Sequence, residues 1–88
     1  MSRTYEGSLV ISRKEGERAY LIRENSEPVC LKIGRIKGDK VRIEIHADEE
    51  CLILREEVLE RKDRNIYESI SDGEIVTSEM YNSLRERR

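Results

Sequence analysis

Neither tryptophan nor phenylalanine occurs in this chain of 88 residues, and aromatics amount to 5%, as four tyrosines. The bulky rings that fill most cores are therefore scarce. Hydrophobic residues of every kind reach only 36%, against 41% charged. One small domain at most is expected, marginal on its own core and in need of another chain to complete it. Two cysteines, Cys30 and Cys51, are too few for a disulfide framework. A single bridge between them is conceivable, but both lie in apolar runs, which favours two reduced, buried thiols and a reducing compartment. No apolar run approaches the ~20 residues that cross a bilayer. Met1 to Gly7 is too polar for a secretory signal. A cytoplasmic protein is expected.

Charge of one sign is lacking too. The net value is −2, whereas nucleic-acid-binding domains are usually basic. The distribution matters more than the sum. Through Lys62 there are 13 acidic and 13 basic residues, and the remaining 26 residues carry 6 acids and 4 arginines. The whole excess lies in the tail, so a neutral domain can still gather arginines on one face.

What is present reads first as strands. Leu9, Ile11 and Arg13 alternate with Val10 and Ser12, the period of two of a half-buried strand. Gly16-Glu17 breaks it, Arg18 to Arg23 forms a second run, and Glu24 to Pro28 has turn composition. Val29, Leu31 and Ile33 open a third strand expected to reach Ile36. Lys37-Gly38-Asp39-Lys40 then reads as a tight hairpin. Val41, Ile43 and Ile45 face one way in a fourth strand, with Arg42, Glu44 and His46 opposite. Ala47 to Glu50 forms a loop, and Cys51 to Leu54 a short fifth strand.

From Arg55 the period changes. Glu56 and Glu57 precede Arg61 and Lys62, the charge order a helix dipole favours. That helix either stops near Lys62 or continues through Ile66 and Ile70. Ser71-Asp72-Gly73 is a break, and Thr77 is placed to cap a last helix with Val76, Met80 and Leu84 at spacings of four. No strand alternates with a crossover helix, which argues against a parallel α/β sheet. Five strands on so few apolar side chains leave exposed edges, and a second copy would cover them.

Catalytic and cofactor chemistry find no support. His46 is alone, and the cysteines are not at zinc-ligand spacing from it. Ser12 has no His–Asp companions, the acids form no general acid–base pair, and Gly16, Gly34 and Gly38 read as turn or bulge residues, not a phosphate loop. No enzyme, cofactor or metal is expected.

The stretch Leu9 to Glu17 resembles the first strand of the carbon storage regulator (CsrA/RsmA-type) family, an apolar strand ending in two basic residues and then Gly-Glu. Ile36 to Ile43 is similar to the family's Lys-Gly hairpin and its Val-Arg-Ile strand. Ala47, then Ile53-Leu54-Arg55-Glu56-Glu57-Val58, resembles its loop, fifth strand and helix start. The likeness runs in order from Leu9 to Lys62. Arg18 to Ile33 is longer here, with the extra residues around Asn25.

The resemblance implies an all-β fold with a C-terminal helix: five short strands per chain in an intertwined homodimeric β-sandwich or barrel. It places a carbon storage regulator-like RNA-binding domain at 1–62 and a C-terminal extension, expected to be helical, at 63–88. It also implies a translational regulator, often a repressor, binding GGA in messenger hairpin loops to control translation or message stability. Each dimer would carry two sites, each built from the first strand of one chain and the fifth of the other.

By motif position the RNA-binding residues would be Ile11, Arg13, Ile53 and Arg55, with Lys14 reaching phosphate and Ala47 placing its backbone near the bases. The chemistry is sound. Residues two apart share a strand face, so each pair sets an aliphatic platform beside a guanidinium fork, suited to splayed bases and to the guanine O6/N7 edge. Periodicity alone prefers a blander reading, with the isoleucines as core and the arginines as solvated strand ends. The resemblance turns the balance. Three departures bear on affinity: Lys14 where a second Arg is common, Glu15 where an apolar residue is common, and Asp48-Glu49-Glu50 after Ala47.

The tail, Asp63 to Arg88, exceeds what the family requires. A helical appendage, an element folding over the RNA face, a docking site for a protein antagonist, and extra phosphate contacts from Arg85, Arg87 and Arg88 all stay open. So does a second class of function, in which the family fold has weakened RNA binding and acts through protein contacts as a modulator or decoy.

Overall fold

The computed structural model describes residues 7–86, with side chains from Leu9 onward; the expectations for Met1–Glu6, Arg87 and Arg88 lie outside them. Five strands and three helices follow one another: β1 (Gly7–Arg13), β2 (Arg18–Ile22), β3 (Val29–Lys32), β4 (Val41–Ala47), β5 (Leu52–Arg55), α1 (Glu56–Lys62), α2 (Arg64–Ser71) and α3 (Ser78–Glu86). The strands form two antiparallel sheets, a β1–β4 ribbon and a three-stranded sheet in the order β3–β2–β5.

Register explains where each face goes. In the ribbon, Leu9 opposes Ile45, Ile11 opposes Ile43 and Arg13 opposes Val41, so its apolar side chains share one face. Val10 with Glu44 and Ser12 with Arg42 form the other. In the larger sheet, Tyr20 pairs with Leu54 and Ile22 with Leu52 on the face that the helices cover. Ala19, Leu21, Ile53, Arg55, Val29 and Leu31 stand on the opposite face.

The main core is the helical side. Tyr20, Ile22 and Leu59 pack with Ile70, Val76, Tyr81 and Leu84, joined by Leu52, Leu54, Ile66, Tyr67 and Met80. Residues on both sides of Lys62 therefore share one core. On the other side of the sheet only Ile11, Arg13, Ala19 and Ile33 are buried among the described residues. Leu9 is 40% exposed and Val29 57%, so that layer is incompletely covered by its own chain.

Asp63 decides the helix question. Its backbone is extended (φ −163°, ψ 108°), ending α1, and its side chain accepts a hydrogen bond from the Ile66 N–H at 3.1 Å to start α2. Thr77 Oγ1 caps α3 by accepting from the Met80 N–H at 3.2 Å, as the sequence suggests.

Three expectations need correction. The third strand ends at Lys32, not Ile36, because Ile33 bonds back to the β1–β2 turn: its N–H donates to Glu17 and its carbonyl accepts from Gly16. Gly38 does take a positive φ of 102°, yet Lys37–Lys40 closes no tight hairpin. β3 pairs only with β2 and β4 only with β1, so this segment crosses between sheets. Both thiols are free, but Cys30 is exposed and Cys51 half-buried. Cys30 stands opposite Tyr20 on the helix-covered face, but in β3 at the edge of the sheet, where it stays exposed.

Candidate nucleic-acid interface

β1 and β5 position the expected binding side chains. Ile11 and Arg13 are two apart on β1, and both turn inward, at 2% and 4% exposure. Ile53 and Arg55 are two apart on β5, where Ile53 is half-buried and Arg55, at the strand end before α1, is exposed. Lys14 is exposed just beyond β1.

Arg13 is tied within its own chain. Its two terminal nitrogens donate to both Glu57 oxygens, at 2.9 and 2.8 Å, and one also donates to the Arg18 carbonyl at 2.8 Å. Glu17 adds a carboxylate oxygen at 3.3 Å. The fork matches a carboxylate as it would a phosphate. Arg13's hydrogen bonds are the main reason the Glu57 carboxyl is held below its usual range, burial opposing; the Arg55 charge acts in the same direction. Positions 13 and 55, 42 residues apart in the chain, thus act on one carboxylate. Arg55 itself makes no side-chain hydrogen bond or ion pair among the described residues.

Ala47 ends β4 and Ile53 lies in β5, and they meet in a cleft of about 190 Å³ with Leu9, Ile45, Asp48, Glu49 and Cys51. A neighbouring cleft of about 260 Å³ shares Ile45, Ala47 and Cys51 and extends to Leu21, Arg23, Glu27, Val29 and His46. Both open between the ribbon and the larger sheet, where apolar side chains lack cover. Burial pushes the Cys51 thiol up, which makes it a poor nucleophile at neutral pH.

The three acids after Ala47 are not equivalent. Asp48 pairs with Arg23 at 3.1 Å and accepts from the Glu50 N–H at 3.1 Å. Glu50 pairs with Arg85 at 3.3 Å, and its carbonyl accepts from the Tyr81 hydroxyl at 2.6 Å. Glu49 is exposed. Sequence reasoning missed Glu57, Arg23 and Tyr81 as neighbours of the site and considered Arg85 only as a phosphate contact, since nothing local marks a partner 25 to 44 residues away.

The sequence pattern of the global regulator protein family, CsrA, matches residues 9–64, more than half of the chain. The chain belongs to that family. The match begins in β1 and ends at the first residue of α2, so the CsrA region holds all five strands and every expected binding residue. It excludes most of α2 and all of α3. The CsrA family is one of global regulators. No curated protein and no solved structure matches the chain.

Proposed function

We propose that the protein is a post-transcriptional regulator, not an enzyme, that binds GGA in messenger hairpin loops as a homodimer in the cytoplasm and thereby alters translation or message stability. The observation that carries this reading is Arg55: exposed, at the end of β5, on the same face as Ile53, and with its donors unbonded within the described chain. Ile53 offers the aliphatic platform, Ala47 the neighbouring backbone, and Lys14 a point charge for phosphate. Ile11 and Arg13, the matching pair on β1, complete the expected RNA-binding set, although both are buried in this chain.

The dimer is supported by what one chain leaves uncovered. A two-stranded ribbon is marginal alone, and Leu9 and Val29 remain exposed around the clefts. The β1–β4 and β2–β5 pairings made here within one chain can form in the same register between two chains. Exchange would bring β1 of one copy beside β5 of the other and cover both apolar faces.

The test is Arg55→Ala in the full chain, titrated against a GGA-loop hairpin by gel shift. Losing a charged contact that is partly desolvated costs a few kcal/mol, so a loss of about tenfold or more is expected with dimer stability unchanged. Undiminished binding would remove Arg55 from the site.

One observation favours a second reading, in which RNA binding has weakened and the fold modulates or mimics another regulator through protein contacts. Arg13 is already neutralised by Glu57, and Glu49 adds an open negative charge beside Ala47. No shift of the hairpin by micromolar wild type at low salt selects that reading.

A further inference from the structure

The C-terminal extension touches the candidate site at one place, through Tyr81 and Arg85. Tyr81 is 2% exposed, and its hydroxyl donates to the Glu50 carbonyl at 2.6 Å while accepting from Arg85 at 3.2 Å. Arg85 also reaches the Glu50 carboxylate at 3.3 Å and lies 5.9 Å from the centre of the Tyr81 ring. The loop they hold runs directly from Ala47 to Cys51, and Asp48 and Glu49 line the cleft with Ile53. A second anchor fixes α3's approach: Val76 exchanges backbone hydrogen bonds with Asn25 and Ser26, at 2.7 and 2.9 Å. The β2–β3 connection and the extension therefore meet each other.

We infer that Tyr81 and Arg85 are positioning residues for RNA binding: they fix the Asp48–Glu50 loop and neutralise Glu50, so the extension sets the affinity of the adjoining site. The inference rests on the RNA-binding reading above. Three consecutive carboxylates beside an anionic ligand repel it. With Asp48 matched by Arg23 and Glu50 by Arg85, one uncompensated acid remains. Arg85 acts on the loop, not on the RNA, and that distinction can be measured.

The experiment compares wild type, Arg85→Ala, Glu50→Gln, the Arg85→Ala/Glu50→Gln double variant and Tyr81→Phe, each as the full chain. A GGA-loop hairpin is titrated at two salt concentrations, and amide hydrogen exchange at Cys51 is followed without RNA. The Cys51 N–H donates to the Asp48 carbonyl at 3.2 Å and so reports the loop. Arg85→Ala is expected to weaken binding about threefold to tenfold at low salt, and less at high salt, as screening requires. Glu50→Gln in the same chain should restore it, since no carboxylate is then left to mask. Tyr81→Phe should speed exchange at Cys51 and weaken binding.

A double variant as weak as Arg85→Ala would mean that Arg85 contacts RNA directly, overturning the inference. Unchanged affinity in Arg85→Ala and Tyr81→Phe would overturn it as well. Failure of wild type to bind the hairpin sinks the RNA reading and the affinity claim with it, while exchange at Cys51 still judges the tether by itself.

Discussion

At Arg13, three hydrogen bonds converge on a guanidinium that solvent barely reaches, and its Nε finds no partner. Such a group stays charged and depends on Glu57 for compensation. Lysine at position 13 would keep the charge and lose the fork. The pH dependence follows from Glu57. Its carboxyl is depressed in the fold, so its contribution is complete above the unfolded glutamate value and fades as pH falls through the lower folded value. Glu57→Gln should therefore cost about 1–2 kcal/mol at neutral pH, discounted because Glu57 is half exposed. In urea titrations from neutral to acid pH, the gap from wild type should close at the acid end. A gap independent of pH would show that the pair contributes little.

Among the elements, the α1–α2 junction is the most sharply defined. Extended Asp63 interrupts what would otherwise be one helix, and the break lets α2 turn Ile66 and Ile70 onto the sheet. Asp63→Ala removes the cap on the Ile66 N–H and should lower stability by about 1 kcal/mol. Thermal unfolding of the variant checks this; an unchanged midpoint would mean that packing of Ile70 alone sets the break. β1 and β4 behave differently. They pair along their whole length, yet of their described side chains only Ile11 and Arg13 are buried. In the dimer proposed above, the ribbon is the element that would gain most from a second copy.

For the whole molecule, the extension is structural. Ile70, Val76, Tyr81 and Leu84 are each exposed by 2% or less. Burying four such side chains contributes on the order of 6–12 kcal/mol as an upper estimate, comparable to the entire stability of a small domain. A chain ending at Lys62 would also leave Tyr20, Ile22 and Leu59 uncovered. It should be unfolded or aggregated by circular dichroism and sedimentation, although that length includes every strand of the family region. A folded, soluble product would show that the strands can bury those residues without α2 and α3.

Alternation in β1 and β4, the early acids and late bases of α1, the Thr77 cap and the motifs from Leu9 to Lys62 were all legible in the sequence. Each depends on residues within a few positions of one another, and backbone geometry turns such spacing directly into a face or a cap. Tertiary structure alone decided that Arg13 turns inward to Glu57 while Arg55 stays open. It also decided that Cys30 stays exposed although it shares a face with Tyr20, that Gly38 closes no hairpin, and that Tyr81 and Arg85 reach back to Glu50. Those outcomes depend on which distant surfaces meet, and the free energy of a buried charge or a filled core is set by the partner across the contact.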